Sequence, residues 1–112
     1  MSIITLTTDF GHKDYFVSVT KAALIQEAPT ATIIDISHEI SPFNHTETAY
    51  ILKNAYKSFP KGSIHIVGVD SELSPENNHI VMLFDGHYFI GANNGAFSLI
   101  IEELKYDKLV EI

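Results

Sequence analysis

The stretch SIHIVGVDSELSPENNHIVMLFDGHYFI, residues 63–90, decides the fold. It opens on a short apolar run, Ser63 to Val69, that ends at Asp70 and reads as a buried strand. Ser71 to Asn78 is polar and contains Pro75, which is the composition of a loop and, at a strand end, of a candidate active-site loop. Ile80 to Phe84 and Tyr88 to Ile90 then flank Asp85-Gly86. That dipeptide favours a type I′ hairpin, because both central residues of the turn need positive φ.

Upstream, strand-like runs alternate with helical spacing. Ser2 to Thr8 is rich in β-branched residues and stops at Asp9, Phe10 and Gly11. Asp14 stands where it can cap a helix over Tyr15 to Glu27, with apolar positions Phe16, Val19, Ala23 and Leu24 and a stop at Pro29. Ala31 to Ile36 is a second apolar strand, closed by Ser37, His38 and Glu39 and then by Ser41-Pro42. Thr46 to Phe59 puts Ala49, Leu52, Ala55, Tyr56 and Phe59 on one helical face before Pro60-Lys61-Gly62. Beyond the hairpin, Ala92 to Gly95 break the chain ahead of a helical run, Phe97 to Leu104, and a last strand, Leu109 to Ile112. The order βαβαβ, hairpin, αβ predicts one three-layer α/β/α domain with a mainly parallel central sheet and an antiparallel hairpin at one side.

Composition narrows the function. The 112 residues carry 7 basic and 14 acidic side chains, a formal charge of −7, with no cysteine. Disulfides and thiolate metal sites are excluded. Without a Lys/Arg cluster the chain has no footprint for a phosphate backbone, so nucleic acid is not an expected partner. No apolar run approaches the roughly 20 residues that cross a bilayer, and Met1 leads into a strand-like run without a basic segment, so no membrane partner and a cytoplasmic location are expected.

Three predicted strands run into aspartates, Asp9, Asp35 and Asp70, and Asp14 lies just past the first turn. In a parallel sheet those ends share one edge, and open α/β sheets bind ligands in the crevice outside it. Carboxylates there suit ribose hydroxyls or a cation; they would repel phosphate, and neither GxGxxG nor GxxxxGK[ST] is present. The competing reading is that such aspartates cap turns or helices, and for Asp35, followed by Ile36, that structural reading is preferred. His38-Glu39 begins like HExxH, but Pro42 occupies the place of the second His. The six histidines lack paired ligand spacing, so no metal is expected, and His65, between Ile64 and Ile66, reads as a hydrogen-bonded structural residue. Phe43 is placed either to stack on a flat ring or to staple the following helix, and Asn93-Asn94-Gly95 either to donate amides or simply to turn. A Mg²⁺-dependent phosphoryl-transfer site on Asp9 and Asp70 would need phosphate clamps that the sequence lacks.

Taken in series, T-T-D-F-G-x-x-D, D-I-S-H-E-I-S-P-F, Y-x-x-F-P-x-G-S-I-H-I-x-x-V-D and G-H-Y-F-I-x-x-N-N-G resemble the amino-terminal domain of the S-adenosylmethionine (SAM) hydroxide adenosyltransferases. These are adenosine-forming SAM hydrolases related to fluorinase and chlorinase. The resemblance spans essentially the whole chain. It implies attack of water or hydroxide at ribose C5′ of SAM, releasing adenosine and methionine without metal or organic cofactor. By similarity Asp9 holds the ribose hydroxyls, Asp14 lies by the methionine moiety, Phe43 stacks on the nucleoside and Asp70 positions the water. The family partners that Asp with an Arg seven positions on and a downstream His; Asn77 stands at the Arg position, and the usual Asp-Pro-Gly-Val-Gly loop reads Asp70-Ser71-Glu72-Leu73-Ser74. The resemblance further implies a trimer and a carboxyl-terminal β-rich domain, which residues 1–112 do not include. The alternative expectation is a domain that binds a nucleoside, or assembles with itself, without turnover.

Overall fold

A computed structural model describes residues 2–42, 44–69, 79–92 and 108–111. The elements run β1 (Ile3–Thr8), α1 (Phe16–Glu27), β2 (Thr32–Ser37), α2 (His45–Ala55) with a 3₁₀ turn (Tyr56–Ser58), β3 (Ile64–Gly68), β4 (His79–Phe84), β5 (His87–Ala92) and β6 (Lys108–Glu111). The strands form one sheet in the order β2-β1-β3-β5-β4-β6. β2, β1, β3 and β5 are parallel, and β4 runs antiparallel to both β5 and β6. The α/β class, the mainly parallel sheet and the antiparallel hairpin all match the expectation. The helical run expected over Phe97 to Leu104 and the turn at Asn93-Asn94-Gly95 lie outside the described residues.

The hairpin forms where Asp-Gly demanded it: Asp85 has φ +53° and Gly86 φ +78°, the pair of left-handed residues a type I′ turn needs. Phe84 then pairs with His87 directly across the turn.

Register builds the core. Thr5, His65, Phe89 and Met82 are successive neighbours across β1, β3, β5 and β4, and each is fully buried. Parallel strands covered on both faces carry such continuous apolar or hydrogen-bonded runs. Over this row lie Leu52 of α2 and Tyr56, both buried; the Tyr56 ring sits 5.6 Å from Phe89 and 5.1 Å from His87, edge-on to each. Asn44 caps α2, its Oδ1 accepting from the Glu47 amide at 2.9 Å. Helix α2 therefore starts one residue before the expected Thr46.

Helix α1 lies where the sequence puts it but presents a different face. None of its residues is buried, and Phe16 and Val19 are 49% and 56% exposed. The partly covered stripe is Val17, Thr20, Lys21 and Leu24, continued by Ala28, one position round from the apolar set the sequence suggests. Lys21 reaches Asp35 of β2. Asp35 pairs with Leu6 in the sheet, one step from the Thr5 row that α2 covers, so the two helices lie on opposite faces.

Candidate functional site at the carboxyl edge of the parallel strands

Chain direction across the sheet reverses at β1. The first crossover carries the chain from β1 to β2 on one side, and the second returns it past β1 to β3 on the other. Right-handed crossovers then put α1 and α2 on opposite faces, leaving a crevice outside the carboxyl ends of β1 and β3. Asp9 follows β1 at that point and is partly buried.

Backbone hydrogen bonds join the strand ends into one lattice. Asp9 N–H donates to the Gly68 carbonyl at 3.4 Å, Gly11 N–H to the His38 carbonyl at 2.7 Å, and Ile40 N–H to the Thr8 carbonyl at 3.4 Å. Gly11 sits at φ +71°, a conformation that side chains resist and that turns the chain back across the edge toward Asp14. The Asp14 carboxylate accepts from the adjacent Tyr15 amide at 2.7 Å and is exposed. It is not the helix cap: Tyr15 holds that position with near-helical backbone and no capping side chain. The Phe10 ring packs 6.1 Å from Phe16 and walls the turn on the α1 side.

The turn thus brings Asp9 and Asp14 to the same edge. Asp35 is not part of that pair. Its carboxylate is committed to Lys21 Nζ at 2.5 Å and to His38 Nε2 at 2.8 Å. Burial raises its pKa, but the hydrogen bonds from Lys21 and His38, and the attraction of His38 and Lys21 for the carboxylate charge, outweigh that and hold it below the ordinary carboxylate value. The structural reading of Asp35 stands, as the anchor of an ion-paired network rather than a turn cap. Phe43, Asp70 and Asn77 lie outside the described residues.

His12 belongs to the same edge, its Nδ1 paired with Glu39 at 2.5 Å, both exposed. Among the described residues no group of three or more His, Asp or Glu side chains converges as metal ligands, and no helix is long and apolar enough to cross a membrane. His65 is the structural residue expected, bonded to Thr5 Oγ1 at 2.7 Å and to His87 at 3.1 Å. Sequence reasoning passed over Thr8 and His38 as functional; the signal for them was the spacing Asp35-x-x-His38 across a strand end, which acquires meaning only when register is known.

The architecture is shared with solved proteins. An uncharacterized conserved protein from Thermotoga maritima superimposes with a TM-score of 0.90 at 34% identity, over 97% of this chain and 42% of that one. Among curated proteins, (R)-S-adenosyl-L-methionine hydrolase from Methanocaldococcus jannaschii is 38% identical over all of this chain, and the Thermus thermophilus protein of the same name is 30% identical over 88% of it. A fluorinase from an Actinoplanes species is a more distant relative at 22%. The chain spans less than half the length of these curated relatives, 44% and 38% for the two hydrolases. Residues 4–112 match the SAM hydroxide adenosyltransferase N-terminal domain, and the chain, with its carboxylate turn at the switch point of the sheet, belongs to that family.

Proposed function

We propose that this chain is the amino-terminal, nucleoside-facing part of a two-domain enzyme that hydrolyses SAM to adenosine and methionine. The observation that supports the proposal is the Asp9–Gly11 turn, tied by its backbone to Gly68 and His38 at the carboxyl ends of β1, β3 and β2, with Asp14 following it ahead of α1. In this reading Asp9 accepts hydrogen bonds from the ribose diol and Asp14 faces the ammonium end of the methionine moiety. Phe43 stacks on the nucleoside, and Asp70 orients the attacking water. The new bond is from water oxygen to C5′. The C5′–S bond breaks, its electron pair neutralises the sulfonium, and the water's proton passes to solvent through the carboxylate. A sulfonium is already a good leaving group, so orientation and exclusion of bulk water supply the catalysis, and the reaction asks for no metal or organic cofactor. The net charge of −7 suits a cationic substrate. The same proposal includes a trimer and a cytoplasmic location.

A second reading, a nucleoside-binding or self-assembling domain without turnover, draws on Asn77 at the family's Arg position and on the apolar residues that α1 leaves exposed, among them Tyr15, Phe16, Val19 and Ile25. Incubation of the purified chain with SAM, followed by chromatography with mass detection beside a calorimetric titration, separates the two. Adenosine release by the chain, or by a two-domain protein that carries it, supports the hydrolase. Binding without release by the chain alone fits the ligand-facing half of an enzyme, and binding without release by the two-domain protein as well supports the second reading. In either case Asp9→Ala is expected to abolish nucleoside binding with the circular dichroism spectrum unchanged. Unaltered affinity would reject the site.

A further inference from the structure

Beneath the Asp9–Gly11 turn lies a relay of three side chains. The Asp35 carboxylate only accepts, so the 2.8 Å contact to His38 Nε2 places the imidazole proton on Nε2. With that single ring proton Nδ1 is an acceptor, and Thr8 Oγ1, 2.6 Å away, donates to it; a second ring proton would make the hydroxyl a double acceptor and leave its own proton outside these contacts. The same hydroxyl accepts from the Phe10 amide at 3.2 Å, so in this tautomer every contact is satisfied. His38 also holds the turn with its backbone, its carbonyl accepting from Gly11. The sheet prepares this contact. Leu6 pairs with Asp35 but Thr7 with Ser37, so Ile36 is an extra residue in β2, and the bulge brings His38 rather than Ser37 alongside Thr8.

The order carboxylate, imidazole, hydroxyl is that of a nucleophilic triad. Here it has another use: Thr8 is 2% and His38 1% exposed, so no substrate reaches the hydroxyl, whose proton is directed at His38 and whose oxygen accepts from the Phe10 amide. We infer that His38, as the neutral Nε2–H tautomer, is a positioning residue that fixes the Asp9–Gly11 turn through Thr8 and thereby aims the Asp9 carboxylate. The inference rests on the nucleoside-binding reading for its functional consequence, while the placement of the turn stands apart from it.

Thr8→Val removes the hydroxyl at constant shape, and Thr8→Ser keeps it. In the ¹⁵N-labelled chain, long-range imidazole correlations are expected to show His38 as Nε2–H. Thr8→Val is expected to shift the Phe10 and Gly11 amides, to speed their hydrogen exchange roughly tenfold and to weaken adenosine binding roughly tenfold, about the worth of one buried hydrogen bond. Thr8→Ser should restore all three. In an Asp9→Asn background, Thr8→Val should add no further loss of affinity. An Nδ1–H tautomer, or a Thr8→Val chain whose melting temperature falls while the Phe10 and Gly11 amides stay in place, overturns the inference. A wild-type chain that binds no adenosine removes the nucleoside reading alone, because amide shifts and exchange report the turn without ligand.

Discussion

His65 and His87 face each other through one hydrogen bond, Nε2 to Nδ1 at 3.1 Å, so the bridging proton belongs to one ring and the other ring accepts it. Both rings are buried under Tyr56. Burial first, and then the neighbouring His87, drive the His65 pKa from 6.5 down to about 4. Burial lowers His87 as well, aided by Lys61 and opposed by Asp85. The folded protein therefore favours neutral rings. Their contribution to stability is complete above pH ~6.5 and is lost as the pH falls from there toward 4, when the unfolded chain takes up protons that the folded one refuses. For His65 the full loss is on the order of 3 kcal/mol. Melting temperatures followed by circular dichroism from pH 7 to pH 4 are expected to decline steeply, and His65→Phe to flatten that decline while lowering the starting value. Tyr56 takes no part in this range: burial and the Asp85 carboxylate it donates to raise its hydroxyl to about 12.

The elements differ in how much of their stability is local. Helix α2 carries its own start signal, with Asn44 capping Glu47 and the Glu47 carboxylate returning to the Ser41 amide at 3.0 Å. Asn44→Ala is expected to cost about 1 kcal/mol, a fall of roughly 3–6 °C in melting temperature, with Asn44→Asp recovering most of it. Helix α1 has no such cap. Both helices and the strands were legible because each is bounded by Pro, Gly or Asp and because Asp85-Gly86 specifies its turn outright. The packed face of α1 was not legible. Apolar residues occur all round that helix, and spacing cannot choose among faces when only part of one is covered. The β2 bulge was hidden too, since an extra residue in a strand leaves no mark on an alternating pattern, and with it the contact between Thr8 and His38.

At the scale of the whole molecule, the site's location was readable before its parts were. Strand ends of a parallel sheet gather at one edge, which placed Asp9 and Asp14 together; the commitment of Asp35 to Lys21 and His38 depended on contacts 14 residues apart and across a bulge. The proposed water-activating set belongs to the full enzyme. In a two-domain protein carrying this chain, Asn77→Arg is expected to raise the rate of adenosine release by about tenfold or more, because a cation beside the nucleophile's carboxylate lowers the cost of generating hydroxide. An unchanged rate would mean that water is activated by other groups.

The strand order also governs how the protein is made. β1 leaves the ribosome first, yet it is flanked by β2 and β3, and the outer neighbour of β3 is β5. Until residue 82 has been synthesised the Thr5–His65–Phe89–Met82 row lacks half its members, and until β5 is complete at residue 92 β3 offers a bare hydrogen-bonding edge. A nascent chain halted between β3 and β5 is therefore a sticky intermediate, open to pairing with any extended segment nearby. The hairpin, whose turn is encoded by two residues, closes in microseconds once it emerges, so the exposed interval is set by the pace of translation through residues 69–92.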